Sequence, residues 1–283
     1  MKLQQLLQSR NAIVAPGVVD ALTALIAQST GFQALYLTGA GIAYTHLGRP
    51  DIGLVSMTEV AERLSTICER VTVPVIVDAD TGFGNELNVQ RTVRLFESMG
   101  AQAIQLEDQT FPKRCGHLAD KSIISSTEMM GKIHAAVDAR RSEDTLVIAR
   151  TDAVQTDGIE AALERAHLYA EAGADILFVE APRSTEQLAR IAQELGGVRP
   201  LLANMVEGGD TPIHQAKQLE DIGFRIVIFP GGIVRAMARS TQDYYRSLAA
   251  HGSNTPFADR MFDFKGLNDI VGTRENLRKS GDL

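Results

Sequence analysis

Short apolar runs alternate with helical patterns along the chain, and this alternation predicts its fold. Eight runs have the apolar, largely β-branched composition of strands that are buried on both faces. They span residues 12–15, 34–37, 73–77, 103–106, 146–149, 176–179, 201–203 and 226–229. Eight alternations of strand and helix favour an all-parallel sheet that closes on itself, the (β/α)8 TIM barrel of the α/β class. An open, doubly wound sheet is the alternative, although no G-x-G-x-x-G motif follows the first strand.

Helix boundaries support this alternation. Glycine suits the left-handed residue that ends a helix, and four glycines stand between a helical pattern and a strand. They are Gly31, Gly100, Gly173 and Gly223. Ser125 with Glu128, and Ser184 with Gln187, fit capping boxes at the starts of two helices.

Polar or glycine-rich segments stand directly after seven of the eight predicted strands. In chain order they are 38–41 (Thr-Gly-Ala-Gly), Asp78 with Asp80, Glu107 with Asp108, 150–152 (Arg-Thr-Asp), Glu180, Asn204 and 230–232 (Pro-Gly-Gly). The carboxyl ends of all strands of a barrel meet at one mouth, where the catalytic groups of such enzymes lie. Any one of these segments could simply begin a loop, but together they favour a functional site at the mouth.

Asp78 and Asp80 are the first candidates for metal ligands. Side chains at positions i and i+2 of a strand lie on one side, so the two carboxylates are expected to face one point. Two like charges held so close repel each other, and a divalent cation between them would relieve the repulsion. The alternative is that both aspartates only hydrogen-bond the turn and cap the next helix. With Glu107 and Asp51 the candidate ligands are all oxygens, which suits Mg2+ or Mn2+.

Arg150, at the end of the fifth predicted strand, is the strongest candidate for binding an anion at the mouth. Its guanidinium group can bind a carboxylate through two hydrogen bonds. A salt bridge to Glu107 or Glu180 inside the barrel is the alternative, and the two roles do not exclude each other.

The pentapeptide 113–117 (Lys-Arg-Cys-Gly-His) lies in the loop after the fourth predicted strand. A thiol flanked by Lys, Arg and His is expected to have a lowered pKa and to exchange a proton near neutral pH. Gly116 would give the loop the backbone freedom that a closing lid requires. The alternative is an exposed basic loop with an incidental cysteine.

Charge and composition narrow the classes of partner. The formal charge of −7 gives no electrostatic reason to expect nucleic acid or an anionic membrane. No segment approaches the ~18 apolar residues that span a bilayer, and the first residues lack the apolar core of a signal peptide. Two cysteines make no disulfide framework, so a cytoplasmic location is expected. We expect one domain over residues 1–283, in which 255–283 form a C-terminal tail.

Three motifs resemble those of a known family. They are 78–84 (Asp-Ala-Asp-Thr-Gly-Phe-Gly), 107–109 (Glu-Asp-Gln) and the pentapeptide 113–117. Together they resemble the isocitrate lyase and phosphoenolpyruvate mutase superfamily, and the resemblance extends from Pro16 to Met237. The pentapeptide is typical of the lyase branch, which includes 2-methylisocitrate lyases, 2,3-dimethylmalate lyases and oxaloacetate-cleaving enzymes.

The resemblance implies a barrel that exchanges its eighth helix with a neighbouring subunit in a homotetramer, with the 255–283 tail packed on that neighbour. It implies Mg2+ held by Asp78 and Asp80, with Asp51 and Glu107 acting partly through water. The catalytic residues would be Cys115, Tyr36 and Arg150. The substrate, a small carboxylic acid, would be bound by Thr38, Gly39, Ala40, Lys113, Gly116, His117, Arg150, Glu180, Asn204 and Arg235.

The implied reaction cleaves the C2–C3 bond of a 2-hydroxy di- or tricarboxylate to a 2-oxo acid and a carboxylate. Arg150 and Arg235 would stabilise the charge on the departing fragment, and Cys115 would protonate its carbanion. Tyr36 and a hydroxide on the metal are the two candidates for accepting the hydroxyl proton. A carboxyphosphonate or phosphoenolpyruvate phosphorylmutase is an alternative function, although mutases typically lack the loop cysteine. An oxaloacetate hydrolase is another.

Departures from the family pattern bear on the substrate. Thr38 stands where many lyases carry Ser, and residues 205–209 (Met-Val-Glu-Gly-Gly) are closer to dimethylmalate lyases than to typical methylisocitrate lyases. Phe264 and Lys265 stand where methylisocitrate lyases carry an arginine for an extra carboxylate. Because an unpaired buried carboxylate is costly, a missing cation would disfavour a tricarboxylate. A substituted malate is therefore the expected substrate.

Overall fold

Eight parallel strands form a closed barrel in the computed structural model of the chain, which describes residues 2–9, 11–118 and 120–281. The strands are β1 (Ile13–Val18), β2 (Leu35–Leu37), β3 (Val75–Asp78), β4 (Ala103–Glu107), β5 (Leu146–Thr151), β6 (Ile176–Val179), β7 (Leu201–Asn204) and β8 (Ile226–Phe229). Each strand pairs with its neighbours in the sequence, and β1 pairs with β8 to close the barrel. The predicted (β/α)8 TIM barrel is confirmed.

Several strands extend further at their carboxyl ends than their apolar runs predict. Asp78 pairs with Gln105, and Glu107 pairs with Arg150, in the regular parallel register. Asn204 is likewise paired within the sheet. Backbone pairing therefore continues past the apolar residues, so these polar side chains are positioned by rigid strands and not by loops.

Within the described residues, ten α-helices lie between or before the strands. They are α1 (Leu3–Leu7), α2 (Ala21–Ser29), α3 (Gly39–Ile42), α4 (Met57–Arg70), α5 (Glu86–Ser98), α6 (Ser126–Ala139), α7 (Ala153–Thr156), α8 (Ile159–Glu171), α9 (Thr185–Leu195) and α10 (Ala216–Ile222). A π-helical turn at Ala43–Leu47 follows α3. The four glycines predicted to end helices have φ between 97° and 127°, a range that favours glycine.

Serine side chains cap two of these helices as predicted. Ser125 Oγ accepts a hydrogen bond from Glu128 N at 3.1 Å at the start of α6. Ser184 Oγ accepts one from Gln187 N at 3.2 Å at the start of α9. The second bond predicted at α9 is displaced by one residue, because Gln187 Oε1 accepts from Arg183 N at 2.7 Å.

Two apolar layers surround the strands. Side chains inside the barrel form one cluster, in which Ile76, Ile148 and Phe178 are joined by Leu3 and Leu6 of α1. A second, larger cluster lies between the outer faces of the strands and the helices. Because both strand faces are covered, buried polar side chains in the barrel are exceptions that require an explanation.

The chain divides into two compact units, residues 1–232 and 233–283. The second unit contains nearly all of α11 (Gly232–His251), then a 3-10 turn (Thr255–Arg260), α12 (Phe264–Val271) and α13 (Thr273–Ser280). None of the described residues of α11 is buried. The predicted single domain, the exchanged eighth helix and the packing of the 255–283 tail on a neighbour stay predictions. Residues 282 and 283 of that tail lie outside the described residues.

The helices can be compared in length and hydropathy with a membrane span. Within residues 2–9, 11–118 and 120–281, none of them combines the length and the apolar character that crossing a bilayer requires.

Candidate active site

Buried polar side chains concentrate at the carboxyl ends of the barrel strands and in the loops that follow them. They include Thr38, Asp51, Asp78, Asp80, Glu107, Asp108, Lys113, Arg150, Asp152 and Glu180. All of them belong to the first compact unit. The contacts described below connect most of the predicted site residues to one another.

Asp78 and Asp80 face the same space, but for a different reason from the one predicted. Strand β3 ends at Asp78, and Asp80 follows in a turn with φ of 47°, so the pleat of a strand does not orient it. Asp80 N donates to Asp78 Oδ1 at 3.2 Å, which closes this turn. An ideal Cβ on Gly39 would lie 3.2 Å from Asp78 Oδ2 and 3.3 Å from Asp80 Oδ1. Both carboxylates therefore border the space beside Gly39.

The ammonium group of Lys113 lies between two acids of this cluster. Lys113 Nζ is 2.6 Å from Asp51 Oδ1 and 2.9 Å from Asp80 Oδ1. Burial, together with the nearby Asp78 and Asp51, raises the pKa of Asp80 to about 7, although Lys113 acts in the opposite direction. Lys113 thus contacts two of the predicted metal ligands, and its predicted contact with substrate stays a prediction. The cluster carries more negative charge than a single lysine neutralises.

The cluster fits a hard divalent cation. Asp80 Oδ1 and Glu107 Oε1 are buried without a well-directed hydrogen bond from any described residue. Burial raises the pKa of Glu107 well above its usual range, against the opposing effect of Arg150. In the described chain, no three acidic, histidine or cysteine side chains converge tightly enough to form a ligand group as they stand. The oxygen-only donors, the buried Glu107 Oε1 without a hydrogen bond and the absence of a side chain at Gly39 nevertheless suit Mg2+.

Tyr36 is linked to the acidic cluster through Gln105, which the sequence did not suggest as a site residue. Tyr36 Oη donates to Gln105 Oε1 at 3.0 Å, and Gln105 Nε2 donates to Asp78 Oδ1 at 3.2 Å. Burial, and next the charge of Asp78, raises the pKa of Tyr36 well above its usual value. Tyr36 therefore keeps its proton, which argues against the hypothesis that it accepts the proton of the substrate hydroxyl.

Arg150 is held by three carboxylates, so the salt-bridge alternative describes its contacts. Its Nε and Nη2 donate to the two oxygens of Asp152 at 2.9 and 3.0 Å. Its Nη1 lies 3.1 Å from Glu107 Oε2, and its Nη2 lies 3.5 Å from Glu180 Oε2. Although burial opposes it, Arg150 and then Lys121 hold the pKa of Asp152 at about 2. Asp152 was predicted only as part of a polar strand end, and Lys121 was missed.

The loop that carries Cys115 packs directly against Arg150 and Glu180. An ideal Cβ on Gly116 would lie 2.4 Å from Arg150 Nη2 and 2.7 Å from Glu180 Cγ, so only glycine fits there. His117 Nε2 lies 3.4 Å from Glu180 Oε1, while His117 Nδ1 accepts from Asp210 N at 3.1 Å. The loop therefore lies over the strand ends, as a closed lid would.

The prediction of a lowered pKa for the Cys115 thiol is wrong in this structure. Burial raises the pKa of Cys115, against weaker opposing effects that include a hydrogen bond with the His117 backbone and the charge of Arg150. The lysines of the loop do not lower the pKa of the thiol, because Lys113 and Lys121 are paired with buried aspartates. The thiol is therefore protonated at neutral pH.

The remaining predicted residues have the following places. Thr38 Oγ1 accepts from Gly41 N at 3.2 Å and caps α3, which contains Gly39 and Ala40. Asn204 Nδ2 donates to Glu180 Oε2 at 3.0 Å, which links two strand ends. Arg235 belongs to α11 in the second unit, so its predicted contact with substrate stays a prediction.

Comparison with known proteins identifies the family. The family model described as phosphoenolpyruvate phosphomutase matches residues 3–249. The 2,3-dimethylmalate lyase of Eubacterium barkeri is 46% identical over 278 residues, which cover 98% of this chain and 95% of that protein. The chain belongs to the phosphoenolpyruvate mutase/isocitrate lyase superfamily. The predicted resemblance is thereby confirmed.

Further superfamily members are similar over nearly their full length. The 2-methylisocitrate lyase of Aeropyrum pernix is 45% identical over 281 residues, covering 99% of this chain and 90% of that protein. A solved structure of oxaloacetate acetylhydrolase with 3,3-difluorooxalacetate has a TM-score of 0.94 at 34% identity, covering 99% of this chain and 95% of that one. The chain is an enzyme of the lyase class, as predicted.

One solved superfamily structure bears on the metal. Phosphonopyruvate hydrolase, solved with oxalate and Mg2+, has a TM-score of 0.86 at 28% identity and covers 98% of this chain and 95% of that one. Magnesium is therefore used within the superfamily. Its presence in this chain belongs to the proposal below.

Proposed function

We propose that the chain is a Mg2+-dependent carbon–carbon lyase that cleaves the C2–C3 bond of a 2-hydroxy dicarboxylate such as 2,3-dimethylmalate. The observation that carries the proposal is the proximity of the acidic cluster around Asp80 to the loop of Cys115. The backbone N of Cys115 donates to Asp51 O at 3.1 Å, so the thiol-bearing segment is bonded to a residue of that cluster. The 46% identity to a 2,3-dimethylmalate lyase supports the substrate class.

Asp78 and Asp80 would hold the metal ion, and Asp51 and Glu107 would contribute in part through water. When bound, Mg2+ would lower the pKa of a substrate hydroxyl and polarise the carbonyl that forms from it. Glu107 Oε1, which is buried without a hydrogen bond from any described residue, supports this assignment. The absence of a side chain at Gly39 leaves the space that an ion would need.

Cys115 would supply the proton that the departing fragment requires. The 2-hydroxyl gives up its proton to solvent as the C2–C3 bond breaks. The electron pair of that bond remains on the carboxylate fragment, and its carbon takes a proton from Cys115 Sγ. The thiolate regains a proton from solvent, so no proton is gained or lost overall. Because burial raises the pKa of this thiol, it is protonated at neutral pH, as an acid in the cleavage direction must be. Tyr36 keeps its proton for the same physical reason and would act as a hydrogen-bond donor.

Arg150 would stabilise the negative charge that develops on the departing carboxylate. Asp152 occupies the Nε and Nη2 atoms of the guanidinium group. The Nη1 atom, which faces Glu107 at 3.1 Å, is the one we expect a substrate carboxylate to approach. Because Asp152 already fixes the orientation of the guanidinium group, this group need not reorient when the charge develops.

A second candidate function is hydrolysis of oxaloacetate. It is favoured by the TM-score of 0.94 with oxaloacetate acetylhydrolase, although the identity of 34% is lower than with the lyases. In both reactions a carbon–carbon bond next to a carbonyl or carbinol carbon breaks and leaves an enolate-like fragment. The two functions therefore need similar charge stabilisation. They differ in that the hydrolase must also add water to the carbonyl carbon, whereas the lyase starts from a hydroxyl group already on that carbon.

Product analysis would separate these functions. The purified protein is incubated with Mg2+ and, in turn, 2,3-dimethylmalate, 2-methylisocitrate, isocitrate, oxaloacetate and phosphonopyruvate. We expect the fastest turnover with 2,3-dimethylmalate, giving a 2-oxo acid and a carboxylic acid. Release of oxalate from oxaloacetate as the dominant activity would select the hydrolase instead. Turnover of phosphonopyruvate alone would overturn the lyase proposal.

A further inference from the structure

The loop that carries Cys115 begins and ends on a fixed stem. Gln109 and Ile123 form an antiparallel bridge, and Thr110 N donates to Ser122 O at 2.9 Å. The Gln109 side chain then joins the backbone of Arg114 twice, accepting from its N at 2.9 Å and donating to its O at 2.8 Å. Both legs of the loop are therefore tied down close to the barrel. The position of the tip, residues 115–118, depends on other contacts.

Lys121 provides such a contact from the second leg of the loop. Its side chain has no exposed surface, although lysine is rarely buried without a charged partner. Lys121 Nζ donates to the backbone O of Gly116 and, at 2.8 Å, to Asp152 Oδ1. One ammonium group thus bonds the loop tip and a carboxylate of the barrel at the same time.

Asp152 is a rigid anchor for this ammonium group. Its Oδ2 and Oδ1 accept from Arg150, and its backbone N donates to Asp108 Oδ1 at 2.8 Å. Asp108 is itself fixed by Tyr169 Oη at 2.7 Å and by Arg165 Nη1 at 3.2 Å. A buried carboxylate with this many partners has little freedom to follow a moving loop. The loop must therefore adjust to Asp152.

We propose that Lys121 and Asp152 are positioning residues that hold the Cys115 loop closed and align it with Arg150. Asp152 binds Arg150 on one side and Lys121 on the other. Lys121 in turn binds Gly116 O, so these bonds fix the position of the loop tip relative to Arg150. Gly116 then lies against Arg150 with no room for a side chain. Neither Lys121 nor Asp152 need touch the substrate. The proposal rests on the proposed function, since it assigns how the proton donor and the arginine of that reaction are brought together.

Alkylation of Cys115 measures loop closure without any substrate. The substrate-free protein is treated with iodoacetamide, and modification of Cys115 and Cys68 is followed separately by peptide mass spectrometry, with Cys68 as the internal reference. We expect Lys121→Met to raise the rate of Cys115 modification on the order of tenfold, the size expected for loss of a hydrogen bond to a charged group. Lys121→Arg, which keeps the charge, should restore much of the protection.

Arg114→Met is the matched control. Arg114 is a cation of the same loop, but its side chain is about half exposed and its pair with Asp120 spans 3.7 Å. Its removal leaves the bonds from Lys121 to Gly116 O and Asp152 in place, so Cys115 modification should stay within about twofold of the wild type. Lys121→Gln serves where Lys121→Met does not fold, since Gln keeps a donor without the charge, and we expect an intermediate rate.

The outcomes separate the two proposals. Faster Cys115 modification in the Lys121 variants supports the clamp, and it does so even where the wild type shows no lyase activity. Unchanged modification in a folded Lys121→Met or Lys121→Gln protein would overturn the clamp and leave the lyase proposal standing. With the best substrate, Lys121→Met should lower kcat on the order of tenfold, with partial rescue in Lys121→Arg, as one lost charged hydrogen bond implies. Wild-type kcat in Lys121→Met would likewise contradict the clamp.

Discussion

Replacing Gly116 by alanine tests the closed position of the loop with a single methyl group. The added Cβ would lie 2.4 Å from Arg150 Nη2, about 1 Å short of ordinary contact at 3.4 Å. Neither neighbour can give way easily, because Arg150 is bonded twice to Asp152 and Glu180 accepts from Ala181 N at 2.8 Å. The loop must therefore retreat. Since Gly116 is not among the residues with positive φ, alanine adds no backbone strain.

A retreat of about 1 Å moves the Cys115 thiol away from the substrate, and misplacement of that size lowers rates by as much as ~10²-fold. We expect kcat/KM of Gly116→Ala to fall by about that factor, with Mg2+ binding and the melting temperature nearly unchanged. Steady-state kinetics, calorimetric titration with Mg2+ and thermal unfolding measure these quantities. Gly197→Ala is the control, since its Cβ would meet no atom within 4 Å. A Gly116→Ala enzyme as active as Gly197→Ala would refute the closed loop as the reactive conformation.

Three further predictions concern single groups of the site. Cys115→Ser should lower turnover by about 10² to 10⁴-fold, the usual effect of losing a positioned proton donor, while Mg2+ titration stays as in the wild type. Because the pKa of Asp80 is raised to about 7, protons should compete with Mg2+ below that pH, and the affinity should fall by up to about tenfold for each pH unit. Asp152→Asn should lower the free energy of unfolding, measured by urea denaturation at neutral pH, by about 2 kcal/mol. That value follows from the fall of the Asp152 pKa from 3.8 to about 2, at ~1.36 kcal/mol for each pH unit.

Each of these expectations has an outcome that contradicts it. Full turnover in Cys115→Ser would remove the thiol from the reaction, and a Mg2+ affinity that is flat from about pH 6 to pH 8 would remove Asp80 from the ligand set. The wild-type contribution of Asp152 is present above its unfolded pKa of 3.8 and is lost as the pH falls towards 2. Asp152→Asn should therefore approach wild-type stability in acid, and a difference that persists there would contradict an ionic origin.

The fold could be predicted from the sequence because its signals are local. A strand lies at each apolar run, and each helix-ending glycine has the backbone conformation that favours glycine. The carboxyl end of each strand could likewise be read as a place for polar groups, since all strands of a barrel point the same way. By that rule Asp78, Glu107 and Arg150 should lie at the same end of the barrel. The structure agrees, because β3 pairs with β4 and β4 pairs with β5.

The electrostatics of the site depend on pairings between distant residues, which the sequence does not display. Counting Lys113, Arg114 and His117 as cations near Cys115 predicted a lowered pKa. Lys113, however, is paired with Asp51 and Asp80, and His117 lies against Glu180, all far away in the sequence. Burial is then the largest effect on the Cys115 thiol, and it raises the pKa. The orientation of Asp80 was predicted correctly for the wrong reason, because a turn with positive φ replaces the strand pleat.

The most direct measurement is the formation of a 2-oxo acid from 2,3-dimethylmalate by enzyme freed of metal with a chelator. We predict no product until Mg2+ is restored, and then pyruvate and propanoate in equal amounts, as cleavage of the C2–C3 bond requires. Undiminished activity in the presence of chelator would contradict a role for the acidic cluster as a metal site. No 2-oxo acid with Mg2+ present would contradict the proposed cleavage itself.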